Sequence, residues 1–117
     1  MKFIATLMGC AMLIAVGQPF SKAQAAEGLV LTVDRAFNAP FVGDTFHPRI
    51  IVSVKNESQR GYKAVVIDCT WLKDGKAQET KGNLILNLAA QQRASTAVWT
   101  TSMFDYDSVS CRLDTAY

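Results

Sequence analysis

Tyr62-Lys63-Ala64-Val65-Val66-Ile67-Asp68-Cys69-Thr70-Trp71-Leu72, followed by Lys73-Asp74-Gly75-Lys76, is the stretch that decides the fold. Val65, Ile67, Cys69 and Trp71 recur at every second position, the period of a strand that turns one face to a core. Val66, Asp68 and Thr70 fall on the other face and suit partial contact with water. The Asp-Gly pair then predicts a hairpin, because glycine there takes the positive φ that matches strand twist.

The same period appears on both sides. Leu29, Leu31 and Val33 alternate over residues 29–34, and Ile50, Val52 and Val54 over 50–55. Between them Asn38-Ala39-Pro40, Gly43-Asp44 and His47-Pro48 predict a loop, since these residues favour turns or bar helical backbone. Residues 56–61 read as a polar connection. Downstream, Lys81-Gly82 interrupts a weak edge-like stretch before Leu84, Leu86 and Leu88; Ala94, Thr96 and Val98 mark a strand over 92–101. Val109, Cys111 and Leu113 mark the last, over 108–114. The one helix candidate, residues 86–93, is short and uncapped. About seven short strands imply an all-β domain of two antiparallel sheets packed face to face, with Trp71 and Trp99 as its large fillers.

The first 25 residues read as a cleavable helical signal peptide. Lys2 opens it, an apolar run over 3–16 follows, and Ala23-Gln24-Ala25 fits the small-x-small rule for a cut before Ala26. About fourteen apolar residues are too few for a span of roughly 20, so no stable membrane insertion is expected after cleavage. Leu7-Met8-Gly9-Cys10 loosely resembles a lipobox, but its apolar run continues past Cys10 to Val16, and Cys10 is read as leader filler. The expected location is periplasmic or secreted. Residues 26–117 then form a single domain, too short for a second core.

Losing the leader removes Lys2 and Lys22 from twelve basic residues, leaving ten against ten acidic ones. With zero net charge, neither nucleic acid nor an anionic membrane has an electrostatic claim as partner. Losing Cys10 leaves Cys69 and Cys111, whose one possible intramolecular pairing in an exported chain is a disulfide. It would close a loop of about 40 residues, worth roughly 3 to 4 kcal/mol in the chain-entropy model. It would either bridge the sheets or lie in the core between them.

Val52-Ser53-Val54-Lys55-Asn56-Glu57-Ser58, then Val65-Val66-Ile67-Asp68-Cys69 and Leu72-Lys73-Asp74-Gly75-Lys76, resemble the small immunoglobulin-like β-sandwich modules of bacterial exported proteins, in particular the group named for its FxLYD motif. Thr70-Trp71-Leu72-Lys73-Asp74 stands where that motif has its Phe and Tyr. The resemblance implies an immunoglobulin-like sandwich and export, and it implies no activity. An antibody-type domain is not indicated: Trp71 follows Cys69 by two positions, and Val109 stands where a tyrosine corner would place Tyr.

His47 is the single histidine, set before Pro48 in the expected loop, and with both mature cysteines paired no nucleophilic triad or zinc set can be assembled. No enzyme activity, cofactor or metal is expected. Asp105 and Asp107, near Asp68 if the strands pair as expected, offer oxygens to calcium but read first as a polar turn. Asn56-Glu57-Ser58 fits a glycosylation sequon and reads as a turn. Arg60, Tyr62 and Lys63 form a small cationic and aromatic group. Phe37, Phe41 and Phe46 gather in the loop between the first two mature strands, either capping one end of the sandwich or forming a partner surface. The expected function is a non-enzymatic module that binds an unidentified protein of the cell envelope; the rival is an inhibitor of an envelope hydrolase or lysozyme, acting through the 56–61 loop.

Overall fold

The computed structural model describes residues 12–15, 22–24, 28–40, 43 and 45–117. Its strands are β1 (Met12–Ala15), β2 (Lys22–Gln24), β3 (Leu29–Pro40), β4 (Phe46–Asn56), β5 (Tyr62–Lys73), β6 (Lys76–Leu88), β7 (Arg93–Trp99) and β8 (Ser108–Ala116). They form two antiparallel sheets, ordered β1-β8-β5-β6 and β2-β3-β4-β7. The chain is all-β, and among the described residues no α-helix occurs. Within the segment read as a helical leader, β1 runs along β8 and β2 along β3. The rest of that segment, with Cys10 and the cut before Ala26, lies outside the described residues.

The described core lies between the sheets and is drawn from β3 to β8. Leu29, Leu31, Val33, Ile50, Val52, Val54 and Val98 face Val65, Ile67, Trp71, Ile85, Val109 and Leu113. Along β3, β4, β5 and β8 these residues follow the two-residue period, so one face of each is removed from water, whereas β6 buries only Ile85 and Leu88. Trp71 is fully buried, as expected of a large filler. Trp99 is not a filler: Val98 takes the inward position on β7 and Trp99 points outward, 45% exposed. Parity along β7 allows only one of these neighbours to face the core, and the register Ile50↔Val98 selects Val98.

Three expectations about strand limits are corrected. The 38–48 segment is mostly a paired hairpin, not a loop, with register running from Val33↔Val52 through a bulge at Asp34 to Pro40↔Phe46. Pro48 is tolerated because β7 ends at Trp99 opposite Arg49, and the chain just past that end asks Pro48 only for an acceptor, its carbonyl taking the Thr100 N–H at 3.4 Å. Lys81-Gly82 does not interrupt a strand: Gly82 lies inside β6 opposite Asp68. A Cβ there would fall 2.7 Å from Asp68 Oδ1 and 3.0 Å from the Ile67 carbonyl, so glycine permits a close approach. The two stretches merge into one strand, leaving six strands, not seven, among the described residues after 26.

Cys69 and Cys111 form the disulfide. They stand directly opposite one another on the adjacent strands β5 and β8, with Cα atoms 4.0 Å apart. The bridge therefore does not join the two sheets; it lies on the core side of one of them, with both residues fully buried.

Candidate interaction surface

Phe37 and Phe46 do not share a surface. Phe37 pairs with Arg49, and Phe46 with Pro40 three positions further along β3, so alternation sends the two rings to opposite faces of the β3–β4 ribbon. Phe41 lies outside the described residues.

Alternation puts Phe46 on the inward-facing side of the ribbon. There it is 52% exposed and lines a cleft of about 430 Å³ with Asn38, Pro48, Met103, Phe104 and Asp105. Met103, from the connection between β7 and β8, is 63% exposed. The floor of the cleft is continuous with the core: the Phe104 ring meets Trp71 edge-on at 5.8 Å and Tyr106 at 6.3 Å. Burial raises the Tyr106 hydroxyl above the ordinary tyrosine value. Met103 carries no periodic signal because it lies outside any strand, so its place beside Phe46 could not be read from spacing.

Phe37 stands on the outer face of the β3-β4-β7 sheet, with the Arg35 guanidinium 4.1 Å above its ring centre. Lower on this face Ser53 Oγ donates to Asp34 and shares a 2.8 Å hydrogen bond with Ser95 Oγ, while Arg93 lies 3.5 Å from Asp34. This is a cross-strand polar ladder in which the serine partner is a carboxylate, with no imidazole to take its proton. Alternation alone places Asp34 on this face with Thr32; what it does not supply is the register that sets Ser53 and Ser95 side by side next to it.

The remaining candidates have structural duties. His47 lies in β4 opposite Ala39, buried, and not in a loop as expected. Asn56 is fully buried: its Nδ2 donates to the carbonyls of Arg60 at 2.8 Å and Ala89 at 3.1 Å, and its Oδ1 accepts from the Ser58 backbone N–H at 3.0 Å and the Ser58 hydroxyl at 2.6 Å. That amide holds the turn and cannot carry a glycan without releasing it. Tyr62 is buried beneath the Arg60 guanidinium, 4.2 Å above its ring, so the ring is not offered for stacking. Asp107 is not beside Asp68: its carboxylate accepts from the Asp74 N–H at 3.1 Å and its own N–H donates to the Leu72 carbonyl at 2.8 Å. Leu72 is four positions along β5 from Asp68, or about 13 Å, and Asp68 pairs with Arg112 at 3.6 Å. Among the described residues no group of three or more His, Cys, Asp or Glu side chains is arranged to hold a metal, and no helix there is long and apolar enough to cross a membrane. Comparison with family models, curated proteins and solved structures finds no match for this chain.

Proposed function

We propose that this chain is an exported, non-enzymatic protein-interaction module of immunoglobulin-like architecture, which acts in the cell envelope or outside the cell through the cleft at the end of its β3–β4 hairpin. The observation that carries this reading is the pair Phe46 and Met103, two large apolar side chains more than half exposed that line one cleft with Pro48 and Phe104. Two exposed apolar side chains meeting at a cleft rimmed by the polar Asn38 and Asp105 make a place where a partner removes surface from water. Methionine adapts its shape to an inserted side chain, and the floor resting on Trp71 keeps the cleft in form. The partner is a protein that presents an apolar side chain.

Mild crosslinking in the intact envelope, followed by affinity capture, tests this with two baits, the parent and the Phe46→Ser/Met103→Ser double variant. One enriched protein held by the parent and lost from the double variant, at equal melting temperature, supports the reading. An identical set on both baits removes the cleft as the binding surface.

A second reading, inhibition of an envelope hydrolase, draws on the 56–61 turn. Asn56 fixes it from within and Gln91 Nε2 donates to the Ser58 carbonyl at 3.0 Å from outside. A loop held in one shape while Glu57, Gln59 and Gly61 face solvent is pre-organised to enter an active site. Loss of cell-wall hydrolase activity on adding the protein, reversed by Asn56→Ala, is the expected result.

A further inference from the structure

The outer face of the β3-β4-β7 sheet carries a row of three side chains in direct register: Phe37 on β3, Arg49 on β4 and Trp99 on β7. Adjacent strands are about 4.8 Å apart, so the two aromatic residues flank the arginine with roughly 9 to 10 Å between their attachment points. Arg35 sits over Phe37, and Trp99 presents nearly half of its surface to solvent. Neither Arg35 nor Arg49 pairs with a carboxylate among the described residues, and Arg49 Nε has no hydrogen-bond acceptor although it is buried. Arg49 is partly exposed and its charge is met by no carboxylate there, so the accessible part of its guanidinium is able to take an anion. Further along the same face Lys55, Glu57 and Arg93 border a depression of about 220 Å³, where Arg93 is paired with Asp34. Lys55 is six positions from Arg49 on β4, about 20 Å away on the same face.

We propose that this face binds an acidic polysaccharide, with sugar rings laid against Trp99 and against the exposed Arg35 guanidinium that covers Phe37, and a carboxylate held by Arg49. The row sets aromatic and guanidinium groups along a line across three strands. A pyranose ring stacks on an indole through its apolar C–H face, and the planar fork of arginine takes a carboxylate in two hydrogen bonds. The repeat of aromatic, cation, aromatic matches a polymer whose charges are spaced by uncharged ring surface. With ten basic and ten acidic residues after position 25, the chain lacks the strong overall field on which polyphosphate binders rely. This inference does not rest on the Phe46 cleft, which lies on the opposite side of the ribbon.

Titration calorimetry of the purified protein with galacturonate oligosaccharides tests the proposal, with hexaglutamate and an uncharged galactose oligomer as rival probes. The expected result is sub-millimolar binding of the uronate oligomer, weakened about tenfold or more by Arg49→Gln and by Trp99→Ala. Leu86→Ser, a change at an exposed position on the other sheet, should bind like the parent. Circular dichroism melting identifies any variant that has lost its fold, and Arg35→Gln, at an exposed position, serves in its place. The proposal is overturned if the uronate oligomer does not bind at millimolar concentration, if either rival probe binds as tightly, or if the variants bind like the parent.

Discussion

Asn83 on the edge of β6 reaches across to the edge of β7, where its Nδ2 donates to the Ala97 carbonyl at 2.7 Å and to Thr96 Oγ1 at 3.1 Å. Its Oδ1 accepts the Leu84 backbone N–H at 2.8 Å. One side chain thus satisfies a donor on one sheet and an acceptor on the other, closing the seam between two strand edges that would otherwise invite another chain. Asn83→Ala should lower stability by about 1 to 2 kcal/mol in urea unfolding. It should also introduce concentration-dependent association in analytical ultracentrifugation, and a variant that remains monomeric would remove the edge-closing role.

Cys69 and Cys111 are fully buried and 42 positions apart in sequence. The Cys69→Ala/Cys111→Ala variant should lose roughly 3 kcal/mol or more relative to the oxidised parent. Reduction of the parent should require unfolding, so thiol labelling in the presence of dithiothreitol should follow the unfolding rate. Labelling much faster than unfolding would show that the bridge is accessible in the native state.

Asn56 is surrounded by acceptors that need its amide N–H groups. Asn56→Asp keeps the size but sets a carboxylate against the carbonyls of Arg60 and Ala89, at a cost of about 2 to 4 kcal/mol. Asn56→Ala should cost less than Asn56→Asp, because it leaves the carbonyls unpaired without adding a charge. The reverse order of midpoints in thermal melts would mean that the turn opens to water.

Tyr106 has its pKa raised by burial. The unfolded chain releases this proton first as pH rises through about 10, so the unfolded state then binds fewer protons and stability falls. Below that range the contribution is fully present. Tyr106→Phe should match the parent at pH 7 and unfold at a higher denaturant concentration than the parent above pH 10. Equal midpoints at both pH values would place the Tyr106 hydroxyl in water.

The alternation of Leu29 to Val33, Ile50 to Val54, Val65 to Trp71 and Val109 to Leu113 announces strands and their inward faces, because the two-residue period is a local property of extended backbone. Asp74-Gly75 announces its hairpin for the same reason: both residues take positive φ, 51° and 79°. The cysteine pairing follows from having two cysteines after residue 25. What the alternation could not supply is which strands become neighbours. That β8 lies beside β5, so that the disulfide stays within one sheet, depends on contacts between residues far apart in the chain. The division of the phenylalanines, with Phe37 outside beside Arg49 and Phe46 at the cleft, depends on hairpin pairing carried through Pro40 and Pro48, which residue preferences assigned to a loop. The outward turn of Trp99 was masked by its size: hydrophobicity favoured the larger side chain for the core, while register against Ile50 gave that place to Val98. Each candidate surface joins residues from two or three strands or loops. Local sequence therefore determined the elements and their faces, and only the long-range register of the sheets decided which side chains meet.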